Sequence, residues 1–272
     1  MYHYNLFQWM MFFFVYCFFG WCIESTIVSV SKRQFVNRGF LRIPMLPLYG
    51  TGAILILFLT IPVKENLLLV YLVGTVGATV LEYFTGLTME SLFKIKYWDY
   101  SKYKIQLHGR ICLVSSLFWG VLSVALTEYI HPPIERWILG IPPFMTNVLV
   151  CLTACVMLAD TIVSVRAALD LAKLLEHLSA VKEEIEHIRA QLDELKESAQ
   201  QQLEDIRESR ERLKERTEAL RSHLNELCTE REFAISHMGF FKSQLLRGHP
   251  SSYSQKFNAT LHELKERLYT KK

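Results

Sequence analysis

Glu24, Glu82 and Glu90 stand inside apolar stretches of the chain, and Arg38 and Arg110 stand beside the ends of such stretches. A carboxylate at membrane depth is costly, and one that persists there is normally paired or turned toward a polar path. Opposite a guanidinium it makes an interhelical ion pair; facing water or a substrate it can bind a cation or relay a proton. Glu82 and Glu90 are eight residues apart, which sets them about 80° apart on one broad helix face with Gly86 between them. Arg38 and Arg110 are the expected counter-charges at the same level. Two readings fit this pattern: ion pairs that fix a helix bundle, or the polar lining of a substrate or ion path open to the cytoplasm. Asp160 also lies in an apolar stretch, close to its end, with Arg166 shortly after it.

Around these charges runs a loop signature of Asn37, Trp98, Asp99 and Tyr100. Tryptophan and tyrosine suit the membrane–water boundary, and Asp-Tyr-Ser suits a turn. Asp99 can equally pair with Lys94, Lys96, Lys102 or Lys104. The six cysteines make no framework. Cys151 and Cys155 share a helix face but have no histidine or third thiol nearby, so no metal site is expected.

The elements that must position these residues are membrane helices. A spanning helix needs about 20 mostly apolar residues. Five stretches qualify: Leu6–Val30, Pro44–Val63, Asn66–Phe93, Ile111–Ile130 and Pro143–Val165. The loop after the first carries Lys32, Arg33, Arg38 and Arg42. The loop after the third carries Lys94, Lys96, Lys102 and Lys104, with Arg110 at the next helix start. The alternate loops carry only Lys64 and Arg136. The positive-inside rule then sets the N-terminus outside and the C-terminal region in the cytoplasm. The second stretch begins with Pro44 and Pro47, then Gly50 and Gly52. Such a start is either a close helix contact or part of a cavity wall.

The expected fold is therefore all-α: a polytopic membrane bundle over residues 1–165, followed by a long cytoplasmic coiled coil over 166–232 and a basic tail over 233–272. Whole-chain averages, 51% hydrophobic and mean hydropathy +0.17, hide this division. Residues 166–232 carry a net charge of −5 and residues 233–272 a net charge of +5. From Phe144 to Met238 there is neither glycine nor proline, so the last membrane helix can continue without a break. Leu171, Leu178, Ile185, Leu192, Ala199, Ile206, Leu213, Leu220 and Leu227 recur every seven residues. Leu174, Val181, Ile188 and Leu195 form a second series, which turns polar at Gln202, Ser209, Arg216 and His223. A parallel homodimer is the first arrangement this suggests. An antiparallel hairpin folded back near Ala199-Gln200-Gln201-Gln202 is the second. In the tail, Phe257, Leu261, Leu264 and Leu268 make an apolar stripe among basic residues, suited to anionic lipid or to packing on the coiled coil. The acidic helix excludes nucleic acid as a partner.

Several stretches together resemble a known family: Gly20-Trp21-Cys22-Ile23-Glu24; Asn37-Arg38-Gly39-Phe40-Leu41 with Pro44, Pro47, Tyr49-Gly50 and Gly52; Leu81-Glu82-Tyr83, Thr85-Gly86 and Glu90; Trp98-Asp99-Tyr100-Ser101; Gly109-Arg110-Ile111-Cys112-Leu113; and Trp119-Gly120. Over roughly residues 5–165 the chain is similar to the bacterial ABC-transporter type IV membrane proteins, a permease-like family. Ile43 stands where that pattern has glycine, and Gln106 where it has asparagine. The resemblance implies a transporter component in the bacterial cytoplasmic membrane.

No glycine is followed by lysine, so the chain has no Walker A P-loop. It carries no Ser–His, metal or nucleotide motif either. No cofactor is expected in the chain itself, and ATP would enter only through a separate ABC ATPase subunit. The first expectation is thus a permease component without catalytic activity of its own. The alternatives are a membrane-anchored coiled-coil scaffold or signalling protein, and, more remotely, a membrane enzyme acting on lipid. Partners expected are the lipid bilayer, further copies through the coiled coil, and that ATPase.

Overall fold

The computed structural model of the chain describes residues 4–201 and 207–270, with the side chains of 198–201, 207–210 and 270 excluded. The first helix, α1 (Leu6–Lys32), opens on a capping box. The Asn5 side chain accepts from the Gln8 amide at 2.9 Å, and the Gln8 side chain accepts from the Asn5 amide at 2.8 Å. It stops at Arg33, which turns left-handed at φ 52°. Next come α2 (Pro47–Thr60), a 3-10 turn (Ile61–Val63) and α3 (Leu67–Phe93), the last capped by the Asn66 side chain and ended by left-handed Lys94.

The second helix begins at Pro47, not at Pro44 as the sequence suggests. Pro47 takes the first helical position, where a missing N–H leaves nothing unsatisfied. Pro44 falls in the turn ahead of the helix and breaks no helical hydrogen bond. Close packing explains Gly50: a Cβ there would collide with the Cys17 sulfur and the Phe13 carbonyl of α1. Gly52 is under no such constraint, its nearest neighbour being a Leu81 methyl at 3.7 Å.

A two-stranded ladder pairs β1 (Gln106–Leu107) with β2 (Ile111–Cys112), a small departure from an otherwise helical fold. Then follow α4 (Leu113–Ala125), a π-helical turn (Leu126–Ile130) and α5 (His131–Leu139). The fourth apolar segment therefore runs on past Ile130 to Leu139. Pro132 and Pro133 lack backbone donors, and the wide π turn before them absorbs the mismatch.

Four helical segments are long and apolar enough to cross a membrane: Leu6–Lys32, Leu67–Phe93, Leu113–Leu139 and the start of Pro143–Glu197. Pro47–Val63 is apolar but shorter. These segments show their apolar side chains outward, among them Ile27, Val76, Phe84, Phe118, Leu152 and Leu158. Their shared core is small and centres on Phe12, Tyr16, Ile56, Leu57 and Leu126. Water would penalise that outward face; lipid does not.

The last membrane helix belongs to α6 (Pro143–Gln201), 59 residues and about 88 Å long. α7 (Arg207–Ser236) returns along it. His177 meets Glu230 at 3.3 Å and His223 meets Glu184 at 3.0 Å. Seven residues forward on α6 thus match seven residues back on α7, which is an antiparallel register. Of the two arrangements suggested by the heptads, the structure has the chain folded back on itself. Val181, Ile185, Ile188 and Leu192 pack on Leu220, Leu224, Leu227 and Cys228. Gln202 and Ile206, and the side chains of Ala199, Gln200, Gln201 and Ser209, lie outside the described residues.

The tail forms α8 (Phe240–Gly248) and α9 (Asn258–Thr270). It packs on protein: Phe257, Leu261 and Leu264 are buried against Leu171, Leu175 and Leu178 of α6 and against Ile95. Here Leu175 is fully buried while the heptad residue Leu174 is only half-buried at the edge of the same core, because α6 meets the tail and the third loop rather than a single helix. The opposite charges of the two segments meet as ion pairs: Lys256 with Glu176 at 3.0 Å, Arg267 with Glu232 at 2.7 Å, and Arg231 with Glu263.

Candidate functional site

Glu82 is the centre of the site. It lies in the second half of α3, where α4 packs closely, and its side chain is 5% exposed. Three donors converge on it. Tyr100 of the third loop donates to Oε1 at 3.1 Å; Ser115 and Trp119 of α4 donate to Oε2 at 2.8 and 3.0 Å. Ser115 and Trp119 are one helical turn apart, so α4 presents both on the same side. Among the described residues no cation pairs with Glu82. Burial and the neighbouring Glu82 push the Tyr100 hydroxyl well above its ordinary range, so it remains a donor.

Glu24 forms a second group on α1. Its Oε1 accepts from the Tyr49 hydroxyl at 2.8 Å, and its Oε2 faces Arg38 at 3.5 Å. The Tyr49 ring lies against Trp119, with centroids 5.9 Å apart. One side-chain chain therefore runs Arg38–Glu24–Tyr49–Trp119–Glu82–Tyr100, from the first loop through the bundle to the third loop.

Glu90, two turns beyond Glu82, is separate from that chain. Arg110 grips it through Nε at 3.0 Å and Nη2 at 2.7 Å, and Lys96 approaches at 3.8 Å. Trp98 donates to the Arg110 carbonyl at 2.8 Å, which holds the guanidinium segment in place. Glu90 is thus spoken for twice over, whereas Glu82 has only neutral partners.

The loop signature residues act on the backbone. Asn37 accepts from Trp21 Nε1 at 2.6 Å and donates to the Arg42 carbonyl at 3.0 Å. Asp99 accepts from the Ser101 amide and hydroxyl at 3.0 and 2.5 Å, a tight side-chain turn in place of a lysine pair. Asp160 accepts from the amides of Arg42 and Ile43 at 2.7 and 3.2 Å and so braces the turn before Pro44. Pro44, Pro47, Gly50 and Gly52 set backbone path and helix contact and bring no side chain to the carboxylates.

Two features escape a reading of charges alone. The tail seals the loop end of the bundle. Arg38 donates to the Gly248 carbonyl, Ser254 to the Lys94 carbonyl, and Lys96 and Tyr253 pair as a β-bridge. His249 is buried and meets the edge of Tyr97 at 4.6 Å. At the opposite end, His131 is buried between the hydroxyls of Tyr4 and Tyr16, at 3.2 and 2.8 Å, with Tyr4 also bonded to Glu135. His131 and Glu135 one turn apart, just after the unusual π turn, are the sequence signal for this second polar cluster.

Chemically, a buried carboxylate with only neutral donors can take up a proton or a cation, and losing Tyr100 would leave it one donor short. Tyr100 thus ties the third loop to Glu82 by one hydrogen bond. Among the described residues no group of three or more His, Cys, Asp or Glu side chains could hold a metal ion.

Residues 11–165 match the family described as "Putative ABC-transporter type IV". No curated protein and no solved structure matches the chain. The match spans more than half of the chain and contains every residue of the Glu24, Glu82 and Glu90 groups, with the outward apolar faces of a multi-pass membrane protein; the chain belongs to the ABC-transporter type IV membrane family.

Proposed function

We propose that the chain is the permease-like component of an ABC-type transporter, with its polar path at Glu24, Glu82, Glu90, Arg38 and Arg110 and its ATPase on another chain. The observation that carries this reading is Glu82: a carboxylate inside a membrane helix, satisfied only by neutral donors. A bundle that served only as an anchor would need no such group. Through Tyr100 and Arg38 the polar chain reaches the first and third loops, the surface on which an ATPase would act. The tail lies across that same surface, so the ATPase would engage α8, α9 and the foot of the α6–α7 hairpin together with the loops. ATP would work only through that partner.

The hairpin favours a second reading, a membrane-anchored scaffold. A helix of 59 residues folded back against a second of 30 is more than a transport path requires.

Mass spectrometry of the protein purified in mild detergent from its native host separates the two. A stoichiometric ABC ATPase supports the permease reading. Recovery of the chain alone, or with a soluble partner lacking a nucleotide motif, overturns it in favour of the scaffold.

A further inference from the structure

Beside the end of α1, a groove of about 630 Å³ opens between the first loop and the tail. That is within the size range of small-molecule sites, about 300–1,000 Å³. Its lining includes Arg42 and Arg247 and, among the described residues, no carboxylate. Arg247 is exposed and makes no ion pair among the described residues. Lys32 lies over the ring of Tyr269, another lining residue, at 5.4 Å. Ser243 and Gln244 add neutral polar groups. The groove therefore attracts an anion and offers it hydrogen-bond donors.

The apolar surroundings narrow the choice of anion. Phe35 and Phe240 come from different elements, both line the groove, and they are 77% and 74% exposed. In the last turns of α1, which lead into the first loop, Ile23, Ile27 and Val30 form an outward stripe at helical spacing. A membrane surface explains both features: acyl chains cover the stripe, the two phenylalanines sit at the boundary, and the cationic groove lies at headgroup level. By the positive-inside rule this is the cytoplasmic leaflet, where anionic lipids recruit basic groups.

We propose that this groove binds the phosphate headgroup of an anionic phospholipid, with Arg247 as its main ligand and Arg42 as its second. Arg42 also leans on Asp160 at 3.6 Å and on the Phe241 ring at 3.8 Å, so it comes positioned. The site does not involve Glu82, but it shares the first loop and α8 with the surface proposed for the ATPase. It would make the seating of the tail on the first loop depend on the lipid around it.

The test is native mass spectrometry of the full chain in detergent, with phosphatidylglycerol or phosphatidylcholine added at equal concentration. Phosphatidylglycerol should be retained preferentially as one tightly held molecule. Arg247→Gln should lower that retention about fivefold, the worth of one basic residue near an anionic surface. Lys102→Gln, which removes the same charge from the third loop, should leave it unchanged. Equal retention of the two lipids, equal losses in the two variants, or release of the lipid by excess inorganic phosphate would each overturn the proposal. Arg247 is a surface residue, and an unchanged melting temperature in Arg247→Gln shows that the loss is not one of folding.

Discussion

Lys96 and Tyr253 exchange both of their backbone hydrogen bonds, at 2.6 and 2.8 Å, so the tail joins the third loop as a short antiparallel pair. The loop that delivers Tyr100 to Glu82 is thereby tied to the C-terminal region. Tyr253→Pro removes one donor and bends the backbone away from the bridge. Amide exchange at Lys96 should then speed up about fivefold, at ~1 kcal/mol for a lost hydrogen bond, with α3 unaffected. An unchanged rate at Lys96 would mean that the bridge does not protect the loop.

Acidification should loosen the same junction. Burial first, and then the charge of Arg38, push His249 down from 6.5 to about 3; the hydrogen bond to the Leu245 carbonyl opposes this, and Lys265 adds a smaller push downward. In the unfolded chain this histidine takes up a proton near pH 6.5; in the folded chain it stays neutral until about pH 3. The unfolded form therefore binds more protons within that window, and stability falls as pH drops through it. Melting curves from pH 7 to pH 5 should show a steeper decline for the wild type than for His249→Gln. Parallel declines would assign the acid sensitivity elsewhere.

Glu82 separates chemistry from folding through two substitutions. Glu82→Gln keeps the shape and one carbonyl oxygen, and the hydroxyls of Ser115 and Tyr100 can turn to accept from the new amide. Its effect on stability should be about 1 kcal/mol. Glu82→Ala strands the half-buried Trp119 donor and leaves a void, a loss of roughly 2–4 kcal/mol. If Glu82 serves a transport path, both variants lose transport by reconstituted protein. If it serves only packing, Glu82→Gln transports as well as the wild type.

The sequence makes some of this site legible and hides the rest for physical reasons. A charge inside an apolar run stands out, so Glu24, Glu82 and Glu90 are visible, and loop level singles out Arg38 and Arg110. In the structure Arg38 faces Glu24 and Arg110 grips Glu90. The partners of Glu82 are neutral and ordinary in a membrane helix, so counting charges passes over Ser115 and Trp119. The helical pair is hidden differently. A heptad stripe says that α6 needs a partner and not which chain supplies it. On α7 the polar series through Arg216 and His223 is exposed, and Leu224, outside both heptad series, fills the seam. The basic tail suits anionic lipid and acidic protein alike, and only packing decides that Lys256 and Arg267 meet Glu176 and Glu232.

The folded-back hairpin makes the sharpest prediction, because a parallel dimer would give the opposite result. Glu184 and His223 touch at 3.0 Å within one chain. Glu184→Cys combined with His223→Cys, in a Cys228→Ser background to remove the hairpin's native thiol, should form a disulfide inside the monomer at any protein concentration. Ile185→Cys alone should stay monomeric under oxidation, whereas a parallel dimer would bring that core heptad position against its own copy and yield a covalent dimer. Register is tested in the same way. His177→Cys with Glu230→Cys should also close within the chain, since those side chains meet at 3.3 Å. Glu184→Cys with Glu230→Cys should not, because the two positions are displaced by seven residues, about 10 Å along the helix, beyond the ~7 Å over which two Cα atoms can share a disulfide.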